Sequence, residues 1–100
     1  MIKQLNNQIV VAASGYFDPI HSGHINYLRE AKALGDKLIV IVNNDEQAKL
    51  KKGFYFIPVV ERKKILQTLR YVNGVYVSID KDASVRKSLP KVKPNILHIK

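Results

Sequence analysis

Four short apolar runs are separated by segments in which apolar residues recur at helical spacing. Unbroken apolar runs predict buried strands, because the strands of a parallel sheet are covered on both faces. The predicted strands are residues 8–14, 38–42, 75–79 and 96–99.

The segments between these strands favour helices. In residues 23–34 an apolar side chain recurs at every third position, which predicts an amphipathic helix; these side chains are Ile25, Leu28, Ala31 and Leu34. A second helix is expected over residues 58–71, with a proline in its first turn. Residues 80–92 predict a short helix that Pro90 ends early, whereas residues 46–57 are less regular and predict a basic loop.

Regular alternation of strand and helix predicts an α/β fold. We expect a Rossmann-like, doubly wound parallel sheet with helices on both faces, because each return to a parallel strand needs a crossover helix. Neither a repeat nor a linker interrupts the chain, so residues 1–100 are expected to form a single domain. In such sheets the ligand binds beyond the carboxyl ends of the strands, where the strand order reverses.

Composition narrows the class of partner. The chain has 17 Lys and Arg against 8 Asp and Glu, a formal charge of +9, which favours an anionic partner such as a nucleotide, a phosphorylated metabolite or RNA. It has no cysteine, which excludes disulfides and thiolate metal sites. The first residues are too polar for a signal peptide, and no apolar run approaches the ~20 residues of a membrane span. A cytoplasmic location is therefore expected.

The stretch richest in candidate chemistry is G-Y-F-D-P-I-H-S-G-H, residues 15–24, between the first strand and the first helix. A helix N-terminus favours anions, and Gly15 and Gly23 lack side chains that would hold a phosphate off the backbone. His21 and His24 are three positions apart, so both project to one side of the first helical turn. The pair predicts a phosphate site rather than a zinc site, because the four-residue spacing of H-E-x-x-H is absent.

This decapeptide resembles the signature of the HxGH nucleotidyltransferases, the cytidylyltransferase-like superfamily, whose first strand ends in G-x-F-D-x-x-H-x-G-H. The match is complete at the fixed positions Gly15, Phe17, Asp18, His21, Gly23 and His24. The resemblance implies that a substrate phosphate attacks the α-phosphorus of CTP or ATP, with Mg²⁺ as cofactor and pyrophosphate as leaving group. We refer to residues 15–24 as the HxGH turn.

Later segments resemble glycerol-phosphate cytidylyltransferases and heptose-phosphate adenylyltransferases. The acceptor implied is a phosphorylated polyol, sugar or head group, and a homodimer is implied as well. The choice between ATP and CTP stays open.

The resemblance also implies roles for basic side chains. His21 and His24 are the catalytic candidates that neutralise charge on the transferred phosphoryl group. A lysine after the second strand reaches the triphosphate in similar enzymes, and Lys49 and Lys52 are favoured here, with Lys51 not excluded. Nucleic acid is a disfavoured partner, because the eight aromatic residues show no clustered stacking motif.

Arg62 matches an arginine that contacts phosphate in similar enzymes, and its planar guanidinium can engage two oxygens at once. The nucleotide-binding part of the HxGH turn is expected to comprise Gly15, Tyr16, Phe17, Asp18 and Gly23. Asp18 has two open interpretations: it holds the turn through backbone N–H groups, or it orients a histidine or Mg²⁺. Tyr16 replaces the small residue common in the family, so its backbone N–H rather than its side chain is expected to serve.

Similar enzymes continue after the fourth strand into a G-G-D turn and an I-S-T-T-type helix start, and neither is present up to Lys100. We therefore expect that the usual C-terminal segment is missing. Two alternatives to a transferase stay open: a basic nucleotide-binding or RNA-binding domain without catalysis, and a truncated inactive core.

Overall fold

The predicted strands form one parallel sheet in a computed structural model, which describes residues 8–99. The strands are β1 (Val10–Gly15), β2 (Lys37–Val42), β3 (Gly74–Val77) and β4 (Ile96–His98). Their order across the sheet is β3-β2-β1-β4, and all pairings are parallel. The predicted parallel sheet is confirmed, and its strand order reverses direction between β1 and β4.

The helices of the described chain are α1 (Ser22–Lys32), α2 (Asp45–Lys52), α3 (Val59–Gln67) and α4 (Leu89–Val92). The segment that contains α2 was expected to be a loop, and this expectation is wrong. Asn44 caps α2 by accepting the N–H of Gln47, and Gly53 ends it in the left-handed conformation at φ 86°. Apolar periodicity does not reveal α2 because the helix is almost entirely polar.

Of the helix expected over residues 80–92, only α4 is helical. The helix expected over residues 58–71 is α3, which ends earlier, at Gln67. Residues 80–88 instead fold around the buried carboxylate of Asp80. This carboxylate accepts the N–H groups of Lys87 and Ser88 at 2.7 and 3.0 Å and the Ser88 hydroxyl at 2.6 Å. A side chain that binds nearby N–H groups competes with helix formation, which explains the difference.

The main core lies between the sheet and helices α1 and α3. Its fully buried members are Val11, Ala13, Leu28, Ala31, Leu38, Val40, Val42 and Leu66. Ala12 and Ile41 point to the opposite face and are also fully buried. Both faces of the sheet are therefore covered, as the expected parallel α/β fold requires.

Three chain segments meet at the carboxyl edge of the sheet. In β1, Gly15 pairs with Val42 of β2, and Ala13 pairs with His98 of β4. The HxGH turn leaves β1 at this edge, where the strand order reverses. Among the described residues, no helix is both long and apolar enough to cross a membrane.

Candidate functional site

The two histidines of the HxGH turn form a reciprocal cap at the start of α1. His21 is the N-cap, and its Nδ1 accepts the N–H of Gly23 at 3.0 Å. In return, the Nδ1 of His24 accepts the N–H of His21 at 3.1 Å. The ring centroids are 4.0 Å apart, so the structure brings the two imidazoles together as expected from their spacing.

This cap determines which ring nitrogen carries the proton. A neutral imidazole that accepts at Nδ1 carries its N–H at Nε2. The rings of His21 and His24 therefore provide a pair of Nε2–H donors at the N-terminus of α1, where the helix dipole also favours an anion. This arrangement can stabilise negative charge on a phosphoryl group.

The two glycines of the turn are required by packing inside the protein. A Cβ on Gly15 would lie 2.9 Å from Cε2 of Phe17, and a Cβ on Gly23 would lie 2.8 Å from Cε1 of His21. Phe17 adopts a positive φ of 52°, and its buried ring packs 5.0 Å from the His24 ring. The Phe17 side chain therefore packs against His24 in the interior instead of facing a ligand.

Asp18 joins the HxGH turn to the segment that follows α2. Its buried carboxylate accepts the N–H groups of Phe56 and Ile57 at 2.9 and 2.7 Å and pairs with Nζ of Lys52 at 3.1 Å. Burial alone raises the pKa of this carboxyl, but the two N–H groups and the ammonium outweigh it, so the pKa lies below its ordinary value. Among the described contacts, the carboxylate of Asp18 bonds to this neighbouring segment and to neither histidine.

Arg62 lies in the interior, and its side chain is fully buried. The guanidinium donates to three main-chain oxygens and to Oδ1 of Asp45, and the donor–acceptor distances are 2.7–2.8 Å. The main-chain acceptors belong to Ile57, Tyr16 and Asn43. In this arrangement Arg62 ties together the ends of β1 and β2 and the start of α3, and the phosphate contact suggested by the sequence stays a prediction.

The three lysines at the end of α2, Lys49, Lys51 and Lys52, each lie over an aromatic ring. Together with Phe54 and Phe56 we call them the lysine-aromatic surface. The ammonium of Lys51 lies 4.9 Å from the ring centroid of Tyr16, within the HxGH turn. The Tyr16 hydroxyl is buried without a hydrogen-bond partner among the described residues, and burial raises its pKa. The Tyr16 ring therefore contacts the Lys51 ammonium, while its hydroxyl is buried.

Phe54 and Phe56 were missed by the sequence reasoning. They form an exposed edge-to-face pair with ring centroids 4.9 Å apart, 48% and 64% exposed. The sequence reasoning expected no clustered stacking motif, and it did not identify this edge-to-face aromatic pair. The alternation F-Y-F before Pro58 was the available signal, because alternate residues of an extended segment share a side.

Within residues 8–99, no group of three or more His, Asp or Glu side chains could hold a metal ion. Asp18, the carboxylate considered for Mg²⁺, is already bound by Lys52 and two N–H groups. At phosphoryl-transfer sites Mg²⁺ commonly binds through substrate phosphates and one or two carboxylates rather than through an all-protein cage. A Mg²⁺ ion held chiefly by the phosphates of the nucleotide therefore fits these residues.

A family profile and several known proteins match this chain. The profile, described as Cytidylyltransferase-like, covers residues 12–100. The FAD synthase of Pyrococcus abyssi is 41% identical over 93 residues, which are 92% of this chain and 62% of the synthase. The bifunctional protein HldE of Hydrogenovibrio crunogenus is 40% identical over 99 residues, which are 96% of this chain and 20% of HldE.

The fold is similar to a solved structure. The crystal structure of the lipopolysaccharide core biosynthesis protein from Thermoplasma volcanium matches with a TM-score of 0.84 and 33% sequence identity. The match covers 91% of this chain and 73% of that protein. By contrast, the chain spans less than two thirds of the Pyrococcus synthase and one fifth of HldE.

Proposed function

The chain belongs to the cytidylyltransferase-like family, and from that premise we propose that it is a nucleotidyltransferase. It transfers a nucleoside monophosphate from CTP or ATP to a phosphorylated small molecule and releases pyrophosphate. The observation that carries this proposal is the paired cap of His21 and His24, which places two imidazoles side by side at a helix N-terminus.

In the proposed reaction, a phosphate oxygen of the acceptor forms a bond to the α-phosphorus of the triphosphate. The bond from that phosphorus to the bridging oxygen of the β-phosphate breaks, and pyrophosphate leaves with the electron pair. His21 and His24 donate to the non-bridging oxygens on which negative charge increases. Such transfers depend mainly on positioning and on charge stabilisation, which fits a site without a nucleophilic side chain.

The name of one group of relatives, the FAD synthases, favours ATP over CTP as the nucleotide. FAD contains an adenylyl group joined to a flavin phosphate, so an FAD synthase transfers that group to a phosphorylated acceptor. We propose adenylyl transfer for this chain on that basis, with Mg²⁺ arriving on the nucleotide. Lys49 and Lys51 of the lysine-aromatic surface are the candidates for binding phosphates of the substrates, because Lys52 is already paired with Asp18. A homodimer and a cytoplasmic location, expected from the sequence, are part of this proposal.

The test combines calorimetric titration of ATP and CTP, with Mg²⁺, and two conservative variants, His21→Asn and His24→Asn. The Oδ1 of asparagine can replace Nδ1 as the acceptor in the cap, but asparagine has no donor at the position of Nε2. We expect circular dichroism spectra like that of the wild type and a loss of nucleotide affinity of at least tenfold. Gln67→Ala, at an exposed position on α3, is the control and should bind normally.

Unchanged affinity in both histidine variants would remove the imidazoles from the site. Failure of the wild type to bind either nucleotide would overturn the transferase proposal. Binding of RNA whose affinity falls steeply with salt would favour the alternative of an RNA-binding domain, because many phosphate contacts release many counterions.

A further inference from the structure

Two exposed aromatic rings, those of Phe54 and Phe56, belong neither to the main core nor to the histidine cap. They are 48% and 64% exposed, and neither side chain is part of the core between the sheet and helices α1 and α3. The rings meet edge to face, with centroids 4.9 Å apart and an angle of 89° between their planes. Adjacent large apolar side chains that stay exposed commonly mark a binding site. The pair is therefore a candidate contact surface for a ligand.

The structure holds this pair against the HxGH turn. The N–H groups of Phe56 and Ile57 donate to the Asp18 carboxylate at 2.9 and 2.7 Å. The ammonium of Lys52 lies 3.1 Å from the same carboxylate and 5.8 and 5.5 Å from the ring centroids of Phe54 and Phe56. One ammonium therefore contacts both the turn and the two rings. Because these contacts order the segment before a ligand arrives, less entropy is lost when it binds.

Positive charge lies next to the aromatic pair. Lys49 and Lys51 are exposed in the last turn of α2, and neither forms an ion pair within residues 8–99. The Lys51 ammonium lies 4.9 Å from the ring centroid of Tyr16, which places it beside the HxGH turn. A neutral aromatic compound would gain nothing from these two lysines. An aromatic compound that carries a phosphate can pair with them.

The HxGH turn has groups that suit an anion at both of its ends. The imidazoles of His21 and His24 lie at the end that begins α1. Lys51 lies at the other end, against Tyr16, and the aromatic pair adjoins the turn at Asp18. The proposed reaction brings two phosphorylated substrates to this turn, the triphosphate and the acceptor. With the triphosphate at the histidines, the lysine end is available to the phosphate of the acceptor.

We propose that the lysine-aromatic surface binds the acceptor, and that the acceptor is a planar aromatic compound that carries a phosphate. Its ring system stacks against Phe54 and Phe56, and its phosphate pairs with Lys49 or Lys51. A phosphorylated polyol can use the lysines but has no flat face for the rings, so it gains less from this surface. This inference rests on the proposed function, and it names the class of acceptor that the proposed function leaves open.

The test uses calorimetric titration with two acceptor probes. Flavin mononucleotide has a planar ring system and a phosphate, whereas glycerol 3-phosphate has a phosphate and no ring. Each probe is titrated into the chain saturated with an ATP analogue whose α- and β-phosphates are joined by a methylene group, which prevents transfer. In the double variant Phe54→Leu/Phe56→Leu, flavin mononucleotide should bind about tenfold more weakly, because the stacking contact is lost. The affinities for ATP and for glycerol 3-phosphate should not change.

Three further variants separate the contributions. Phe54→Tyr/Phe56→Tyr keeps both rings and should bind flavin mononucleotide nearly as well as the wild type. Lys49→Met/Lys51→Met should weaken the binding of both probes, because each carries a phosphate. Leu34→Ala is the matched control, because Leu34 is 48% exposed and lies beyond the end of α1 that is opposite the HxGH turn. It should change no affinity.

Wild-type affinity for flavin mononucleotide in the leucine variant, with ATP affinity lost in His21→Asn, would overturn the acceptor surface and leave the proposed function intact. Loss of ATP affinity in the leucine variant would assign the rings to the nucleotide and would also overturn it. So would conversion of a dimer into a monomer, or loss of single-stranded RNA binding, in that variant. A wild type that binds ATP but not flavin mononucleotide would overturn this inference alone, and one that binds neither would overturn both proposals.

Discussion

Replacing Arg62 distinguishes a structural role from the phosphate contact that the sequence suggested. The structure assigns this guanidinium four protein acceptors, three of them main-chain oxygens and the fourth the carboxylate of Asp45. In Arg62→Met a side chain of similar length fills much of the space but donates nothing. We therefore expect a large loss of stability, with any loss of nucleotide binding following from it.

The magnitude follows from the burial of Arg62 and from its ionic partner. Removing one partner of a buried ion pair costs about 3–5 kcal/mol, because the other charge is left uncompensated. Asp45 is partly exposed and still accepts the N–H of Val59, which favours the lower half of that range. Two buried carbonyl oxygens, those of Tyr16 and Asn43, also lose their donor, which adds to the cost. Total stabilities of small domains are about 5–15 kcal/mol, so the variant should fold only marginally.

Urea denaturation followed by circular dichroism measures this loss. Arg62→Lys should lie between the wild type and Arg62→Met, because an ammonium keeps the charge beside Asp45 but cannot reach all the acceptors of a planar guanidinium. Lys64→Ala, at an exposed position on the same helix, should change stability by less than about 0.5 kcal/mol. If Arg62→Met is as stable as Lys64→Ala and yet loses nucleotide affinity, the structural role is refuted.

Two further predictions concern the HxGH turn. Gly23→Ala should weaken nucleotide binding at least tenfold and lower stability by about 1 kcal/mol, because the new Cβ would lie 2.8 Å from Cε1 of His21 and would push the imidazole off its cap on the helix. Wild-type affinity would show that the ring position is unimportant. Asp18→Asn should reduce stability at pH 7. Because the folded-state pKa of Asp18 is lowered, its contribution is complete well above the unfolded value of about 3.9 and is lost as pH falls through the folded-state pKa. Identical unfolding midpoints from pH 2 to pH 7 in the variant and the wild type would contradict this.

Apolar patterning predicted the strands well because a parallel sheet buries both faces of each strand. It did not reveal α2, whose helical state depends on the capping box of Asn44 and Gln47 and on Gly53. A capping box can be recognised in a sequence, but α2 has too few apolar residues for periodicity to support it. The turns around Asp80 depend on contacts with Ser78 and Ser88, and a pattern of local apolar spacing contains no information about them.

The positions of site residues could be predicted from the sequence where the residues that contact each other are close together along the chain. His21 and His24 are three residues apart on one helix, and their mutual cap follows from that spacing. The partners of Asp18 and Arg62 lie up to 46 residues away along the chain, so their inward orientation could be known only from the folded structure. The aromatic pair likewise reaches the HxGH turn through the contacts of Asp18 with Phe56 and Lys52, for which a single sequence gives no signal.

These contacts change which cations can attract a triphosphate. Lys52 and Arg62 were both expected at the phosphates, but each is paired with a carboxylate, Asp18 and Asp45 respectively. An ion pair that is already formed adds little net positive potential at the mouth of the site. Lys49 and Lys51 form no ion pair within residues 8–99 and are exposed, and Lys51 lies against the ring of Tyr16 in the HxGH turn. Lys51 and the N-terminus of α1 therefore supply unpaired positive charge next to the HxGH turn, while the Asp18–Lys52 and Asp45–Arg62 pairs hold the neighbouring elements in place.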